Sequence, residues 1–242
     1  MNKKISLRML VCLLAAVMLL SSCGTVSLKY DSSQKGFVRS SDNAVFYRAP
    51  KTYLAVAIDT EDVLAELEQE EDALAFYPVC GSDKDSEMDT NAWLADENYN
   101  VYYAKGTTLP LLWEMGARAI DIMTVTEQPF SLGRVTDGQD VQKVVDLYQN
   151  GASFSFGVLQ REMHLLTYQK DYHKYQILFS CADYPGLYYV LTLYHFKQDV
   201  RVELGEAEDP LTNVGRNVIL DPTTGLCYAV EGVFDVYFNQ DT

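Results

Sequence analysis

Leu187–Phe196 (LYYVLTLYHF) runs for ten residues with both alternating faces mostly apolar. A strand that meets water on one side alternates apolar and polar residues. A run apolar on both sides must be covered on both, or carry a helix over one face. The run is therefore read as the central strand of a sheet. Tyr175–Ala182 precedes it, joined through Asp183-Tyr184-Pro185-Gly186, a turn with Pro at its first central position and Gly at its second.

Further strands are expected around it. Arg216–Leu220 and Leu226–Glu231 flank the tight connection Asp221-Pro222-Thr223-Thr224-Gly225. Ala119–Val125 and Val200–Leu204 have strand composition, and Phe154, Phe156 and Val158 alternate with small residues as a strand would. One helix is well marked. Thr136 and Gln139 are spaced as a capping box, and Val141, Val144, Val145 and Tyr148 fall on one stripe. Gly151 suits the stop, which predicts a helix over 137–150. A second, over 60–70, is suggested by Val63, Leu64 and Leu67 opposite acidic residues.

Strands gather late in the chain, without regular β-α alternation or a 20–50-residue repeat. The expected class is α+β, an antiparallel sheet with one or two helices packed on it. The expected organisation is one globular domain, 44–242. The polar, aperiodic stretch 78–100 is read as an exposed acidic loop within it, and the serine-rich residues 24–43 as a flexible tether reaching roughly 25 Å.

The first residues follow another logic. Lys3, Lys4 and Arg8 precede the unbroken apolar run Met9–Leu20 of 12 residues, followed by Ser21-Ser22. This is the order of a secretory signal, and the run falls short of the ~20 residues that span a bilayer. Leu20-Ser21-Ser22-Cys23 resembles the lipobox of bacterial lipoproteins: an aliphatic residue, two small residues, then cysteine. The resemblance covers residues 1–23 only. It implies transfer of a diacylglycerol, with palmitate-type chains, to the Cys23 thiol. It also implies cleavage between Ser22 and Cys23, and a lipid-anchored domain on the extracytoplasmic face of a bacterial membrane. Gly24 after the anchor is not the Asp that retains such proteins at the inner membrane of a two-membrane host; a one-membrane host fits equally.

Cleavage removes three cations and no acid, so a net charge of −15 becomes −18. That field repels nucleic acid and other polyanions, and favours cationic peptides or envelope proteins as partners. Cys80, Cys181 and Cys227 permit one disulfide in any of three pairings; Cys181 and Cys227 sit in strand-like runs that suit burial.

Chemical motifs are sparse. Asp83, Asp85, Glu87 and Asp89 alternate like the start of a calcium loop, but Met88 and Leu94 stand where an EF-hand needs Gly and Glu. His164, His173 and His195 share no metal-binding spacing, so no metal site is expected. Residues 151–157 (GASFSFG) hold no nucleophile elbow, and neither phosphate nor dinucleotide fingerprints occur, so no cofactor and no catalytic residue is singled out. Trp93, Trp113, Tyr102-Tyr103 and Tyr188-Tyr189 read as packing residues before a ligand surface. The expected function is a non-catalytic binding or accessory domain. The alternatives are an envelope-acting hydrolase, an acidic capture or immunity protein for cationic peptides, and a transporter's solute receptor, which the lack of two βαβ lobes disfavours.

Overall fold

The computed structural model describes residues 26–61, 63–67, 75–82, 87–166, 172–203 and 211–238. Ten short strands occupy its first part: β1 (Ser27–Asp31), β2 (Gly36–Arg39), β3 (Val45–Arg48), β4 (Tyr53–Ala55), β5 (Ala57–Ile58), β6 (Ala65–Leu67), β7 (Ala75–Tyr77), β8 (Val79–Cys80), β9 (Trp93–Asp96) and β10 (Val101–Ala104). Seven of them close a small barrel in the order β1-β2-β3-β10-β9-β7-β6, sealed by a parallel pair between β1 and β6. A barrel this narrow is filled by its own side chains. Leu28, Phe46, Phe76, Leu94 and Tyr102 fill it with Ala65, and Phe76 meets Tyr102 edge-on at 5.0 Å.

Two expectations are corrected here. The region read as tether supplies β1 and β2, with Leu28 fully buried in the barrel. Its small polar residues are the turns and outward positions of a hairpin, and only every second residue faces the core. The proposed 60–70 helix contains β6 instead. Ala65 is fully buried opposite Phe76 of β7, so cross-strand pairing overrides a weak helical stripe. Residues 62 and 68–70 lie outside the described set.

The stretch 78–100 is likewise not a plain exposed loop. All four residues of β9 are buried, with Leu94 inside the barrel and Trp93 and Ala95 in the core outside it. Burial on both faces erases the alternation by which a strand is recognised. Asp96 ends β9 and ties the next turn: one carboxylate oxygen accepts the Asn98 and Asn100 backbone N–H groups, each at 2.9 Å, and the other accepts the Tyr102 hydroxyl at 3.1 Å.

The second sheet holds β11 (Ala117–Thr124), β12 (Ser131–Val135), β13 (Ser153–Ser155), β14 (Tyr172–Cys181), β15 (Leu187–Glu203), β16 (Leu211–Leu220) and β17 (Leu226–Ala229). Its order is β12-β11-β14-β15-β16-β17-β13, antiparallel throughout, and β4 adds beside the start of β15. The two runs expected at Leu187–Phe196 and Val200–Leu204 are one strand, with a register irregularity between His195 and Val200. The sequence turn lies as expected, with Leu187 N–H donating to Tyr184 O at 3.0 Å around Pro185-Gly186. Gly186 lets Met88 pack close to the turn, and a Cβ there, 2.6 Å from the Met88 sulfur, would push that side chain aside.

Three α-helices occur among the described residues, α1 (Gly138–Asn150), α2 (Phe156–Leu166) and α3 (Asp235–Phe238), besides a 3-10 turn at Leu112–Glu114. The chain is β-rich. Asp137, one residue later than expected, is the N-cap of α1, its carboxylate accepting from Gln139 and Asp140 N–H at 2.8 and 3.1 Å. At the other end Gly151 donates its N–H to Leu147 O at 2.7 Å, and a Cβ would run into that oxygen. Val141, Val144 and Val145 join a core with Ile120, Ile122, Ile177, Phe179, Leu191 and Leu193, which also takes in the outer face of the barrel through Ala49, Trp93 and Val101. On the opposite face of β15, Tyr194 and Phe196 join Phe154, Leu159 and Met163. The expected strand through Phe154–Val158 is thus β13 followed at once by α2: Phe154 stays a strand residue, while Phe156 and Val158 begin a helix.

Because Leu28 sits inside a closed barrel, Leu28→Ala is expected to lower unfolding free energy by about 2–5 kcal/mol, while Ser32→Ala in the exposed β1–β2 turn leaves it nearly unchanged. Denaturant titration of a chain beginning at Gly24 compares them, and equal midpoints would return residues 24–43 to the role of tether.

Candidate functional site

Two buried polar nodes are built on the central strands β15 and β16 of the large sheet. The first is on α1, β15 and the β16–β17 turn. Tyr148 shares a hydrogen bond of 2.7 Å with the Tyr189 hydroxyl and donates at 2.8 Å to Asp221 Oδ2. Asp221 Oδ1 accepts from Thr223 N–H at 2.7 Å and Thr224 N–H at 3.3 Å, holding the turn after β16. Burial, with the neighbouring Tyr189 hydroxyl and Asp221 carboxylate, pushes the Tyr148 phenol well above its usual range. Tyr53, Tyr189, Tyr148 and Tyr228 follow one another edge-on at 5.2–5.9 Å. Trp113, 38% exposed, lies 6.2 Å from Tyr148 at the surface end of this row.

The second node begins in mid-strand. His195 Nδ1 lies 2.8 Å from Asn217 Oδ1, and Asn217 Nδ2 donates to Asp235 Oδ1 at 2.6 Å. Because the amide NH₂ faces Asp235, its oxygen faces the imidazole, and His195 Nδ1 carries the proton. Phe238 of α3 stacks on the His195 ring at 4.1 Å. The node thus pins the short C-terminal helix to the sheet. Burial, then the positive charges of Arg216 and His173, hold the His195 pKa below its ordinary value; the Asn217 hydrogen bond and Asp235 act the other way.

Asn217 and Asp235 also line a cleft of about 170 Å³ with Asp199, Arg216 and Glu231. It adjoins a groove of about 480 Å³ along α1, lined by Lys143, Asp146, Leu147 and Asn150; Val230 and Glu231 belong to both. Two of these side chains are committed already, Lys143 to Glu231 O at 2.8 Å and Arg216 to Phe196 O at 3.1 Å. The cleft sets the carboxylates of Asp199, Glu231 and Asp235 beside the Arg216 guanidinium, and Asp235 and Asp199 already accept from Asn217 and Asn213 at 2.6 and 3.2 Å.

Of the residues singled out from sequence, His195, Tyr189 and Trp113 belong to these nodes, and the others fall elsewhere. Cys23 and the cleavage site lie outside the described residues, as do Asp83 and Asp85. Asp89 accepts the Asn91 N–H at 2.9 Å within a turn. His173 and His195 are direct cross-strand partners on β14 and β15, and of His164 only the backbone, in α2, is described. Among the described residues no three His, Cys, Asp or Glu side chains gather as a metal site would need. Cys181 and Cys227 are free buried thiols on opposite faces of the sheet, pushed up to about 12 by burial. Trp93, Tyr102 and Tyr189 are packed in cores; Trp113 alone of the named aromatics is exposed. Asn217 could have been flagged: an amide between Arg216 and Val218-Ile219 in a strand must find a buried partner. Asp221 and Asp235 carried no such signal, since acids in turns are ordinary.

No protein-family model matches the chain, and no curated protein or solved structure is similar to it.

Unfolding releases His195 to its ordinary pKa of 6.5, so below that value the unfolded chain binds a proton that the folded one refuses. The stability this group contributes is complete above 6.5 and is lost as pH falls through the lowered folded value. Thermal unfolding just below pH 6.5 should therefore depend on pH less in His195→Gln than in the parent chain. Parallel slopes would remove His195 from the acid response.

Proposed function

We propose that the protein is a lipid-anchored extracytoplasmic lipoprotein whose α+β domain, with α1 and α2 on opposite faces of an antiparallel sheet, serves binding or accessory work at a bacterial membrane. The observation that carries this is Leu20-Ser21-Ser22-Cys23 directly after a cationic start and a 12-residue apolar run. The position of the fold supports it: the first strand begins at Ser27, so the apolar run and the lipobox both precede the barrel. No helix among the described residues is long and apolar enough to cross a membrane. A diacylated cysteine supplies two chains, the number at which anchoring becomes stable.

Cys23→Ala should block lipid transfer and leave the chain as an unprocessed precursor or release it from the membrane. Fractionation with mass spectrometry of the mature N-terminus reads the result. A Cys23→Ala chain that is still cleaved and still membrane-bound rules out the lipobox as the anchor.

A second reading, capture of cationic peptides, is favoured by the carboxylates of Asp199, Glu231 and Asp235 around the cleft and by the net charge of −18. Titration of the mature domain with an oligolysine peptide should give salt-sensitive binding, since screening shortens to about 8 Å at physiological ionic strength. Binding should weaken in Glu231→Gln with Asp235→Asn. Absence of binding at low salt would leave the acidic surface with solubility alone.

A further inference from the structure

We propose that one end of the seven-stranded barrel rests on the phospholipid headgroups of the membrane that carries the anchor. The proposal rests on the lipidation of Cys23 argued above, and it follows from covalent reach. The chain is already fastened at Val26 and Ser27: Val26 O accepts from Glu66 N–H at 2.9 Å, Ser27 O accepts from Ser40 N–H at 2.8 Å, and Ser27 N–H donates to Ser40 Oγ at 3.0 Å. Three Cα–Cα steps separate Cys23 from Val26, a span of at most ~11 Å. The headgroup layer is itself roughly 5–8 Å deep. A lipid on Cys23 therefore holds the start of β1 at the headgroup boundary, where a twenty-residue tether would have allowed roughly 25 Å of clearance.

Register identifies which surface this is. β1 runs away from the anchor, and antiparallel pairing brings the end of β2 back to it. The same pairing places the start of β3, the end of β10 and the start of β9 on that side. The connections there are the Ser40–Asn43 turn, Asp89–Asn91, Lys105–Gly106 and the residues leading into β6, mostly polar and exposed, with Val63 as an exposed apolar side chain. Arg39 makes this end rigid. Its guanidinium holds Asp42 at 2.7 Å and reaches Thr90 O and Asn91 Oδ1 at 3.5 and 3.4 Å. A largely polar, hydrogen-bonded end of this kind suits contact with hydrated headgroups, with Val63 as an exposed apolar side chain beside it. The net charge of −18 sets the lipid preference: uncharged and zwitterionic headgroups are tolerated, and anionic ones push the domain outward.

The test uses full-length protein, processed in a bacterial host and purified from membranes. It is placed in phosphatidylcholine vesicles that carry a nitroxide on a fraction of the headgroups. A fluorophore is attached at Ser41→Cys, beside the anchor, or at Gln34→Cys in the turn at the opposite end of β1; both positions are exposed, whereas Cys80, Cys181 and Cys227 are buried from the label. The two probes differ by about 15 Å along β1. Quenching is expected to be several-fold stronger at position 41 than at 34. The difference should vanish when a twenty-residue Gly/Ser segment is inserted between Gly24 and Thr25, and shrink when phosphatidylglycerol replaces much of the phosphatidylcholine. Equal quenching at both positions, or indifference to the insertion, in a chain that mass spectrometry shows to carry lipid on Cys23 overturns the docking and leaves the anchor standing. A membrane-free chain without lipid overturns both.

Discussion

Strand β15 is the element on which the molecule is built. It pairs with β14 along one edge and with β16 and β4 along the other. Its odd-numbered residues Tyr189, Leu191 and Leu193 face the core under α1, and Tyr194 and Phe196 face the core under α2. Each such side chain withdraws apolar surface worth roughly 1.5–3 kcal/mol from water. A strand that contributes to both cores couples them, so loosening one face loosens the register of the other.

The barrel is joined to this sheet by the same means. β9 and β10 turn one set of side chains inward, Leu94 and Tyr102, and the other set, Trp93, Ala95 and Val101, toward the sheet's core. β4 completes the junction: Tyr53 donates its hydroxyl to Pro110 O at 2.7 Å and its ring meets Tyr189 at 5.2 Å. The outer face of the barrel and the α1 face of the sheet share one core, while the barrel interior and the α2 face keep their own. The polar groups trapped within these cores are all partnered among the described residues, through Asp96, Asp221 and Asn217. Each closes a turn or fastens a helix, so the buried polarity serves the positions of chain segments. The open clefts beside Asn217 and along α1 carry their carboxylates beside Arg216 and Lys143.

The proposed anchor and the fold bear on each other. A lipidated Cys23 followed by a long tether would make the domain's orientation irrelevant to its work. On that proposal, with β1 beginning at Ser27, the fold itself would be the spacer, and the orientation of the barrel would decide which surfaces a partner can approach.

The amino-acid sequence by itself determined the elements whose signals are local. Leu20–Cys23, which resembles a lipobox, is a contiguous string. The helix over 138–150 is written in a stripe of valines between an Asx cap and a glycine, and the β14–β15 hairpin in two apolar runs around Pro185-Gly186. Tertiary structure decided whatever depended on who sits opposite whom. Ser27–Asp31 reads as polar chain because only Leu28 and its neighbours' partners across the barrel make it a strand. Ala65–Leu67 carries a helical stripe that pairing with β1 and β7 overrules, and Trp93–Asp96 hides its alternation because both of its faces are covered. The same holds for His195, Asn217 and Asp235. Twenty-two residues separate the first two, and eighteen the last two. Sequence separation carries no information about hydrogen-bond distance until the strands are in register.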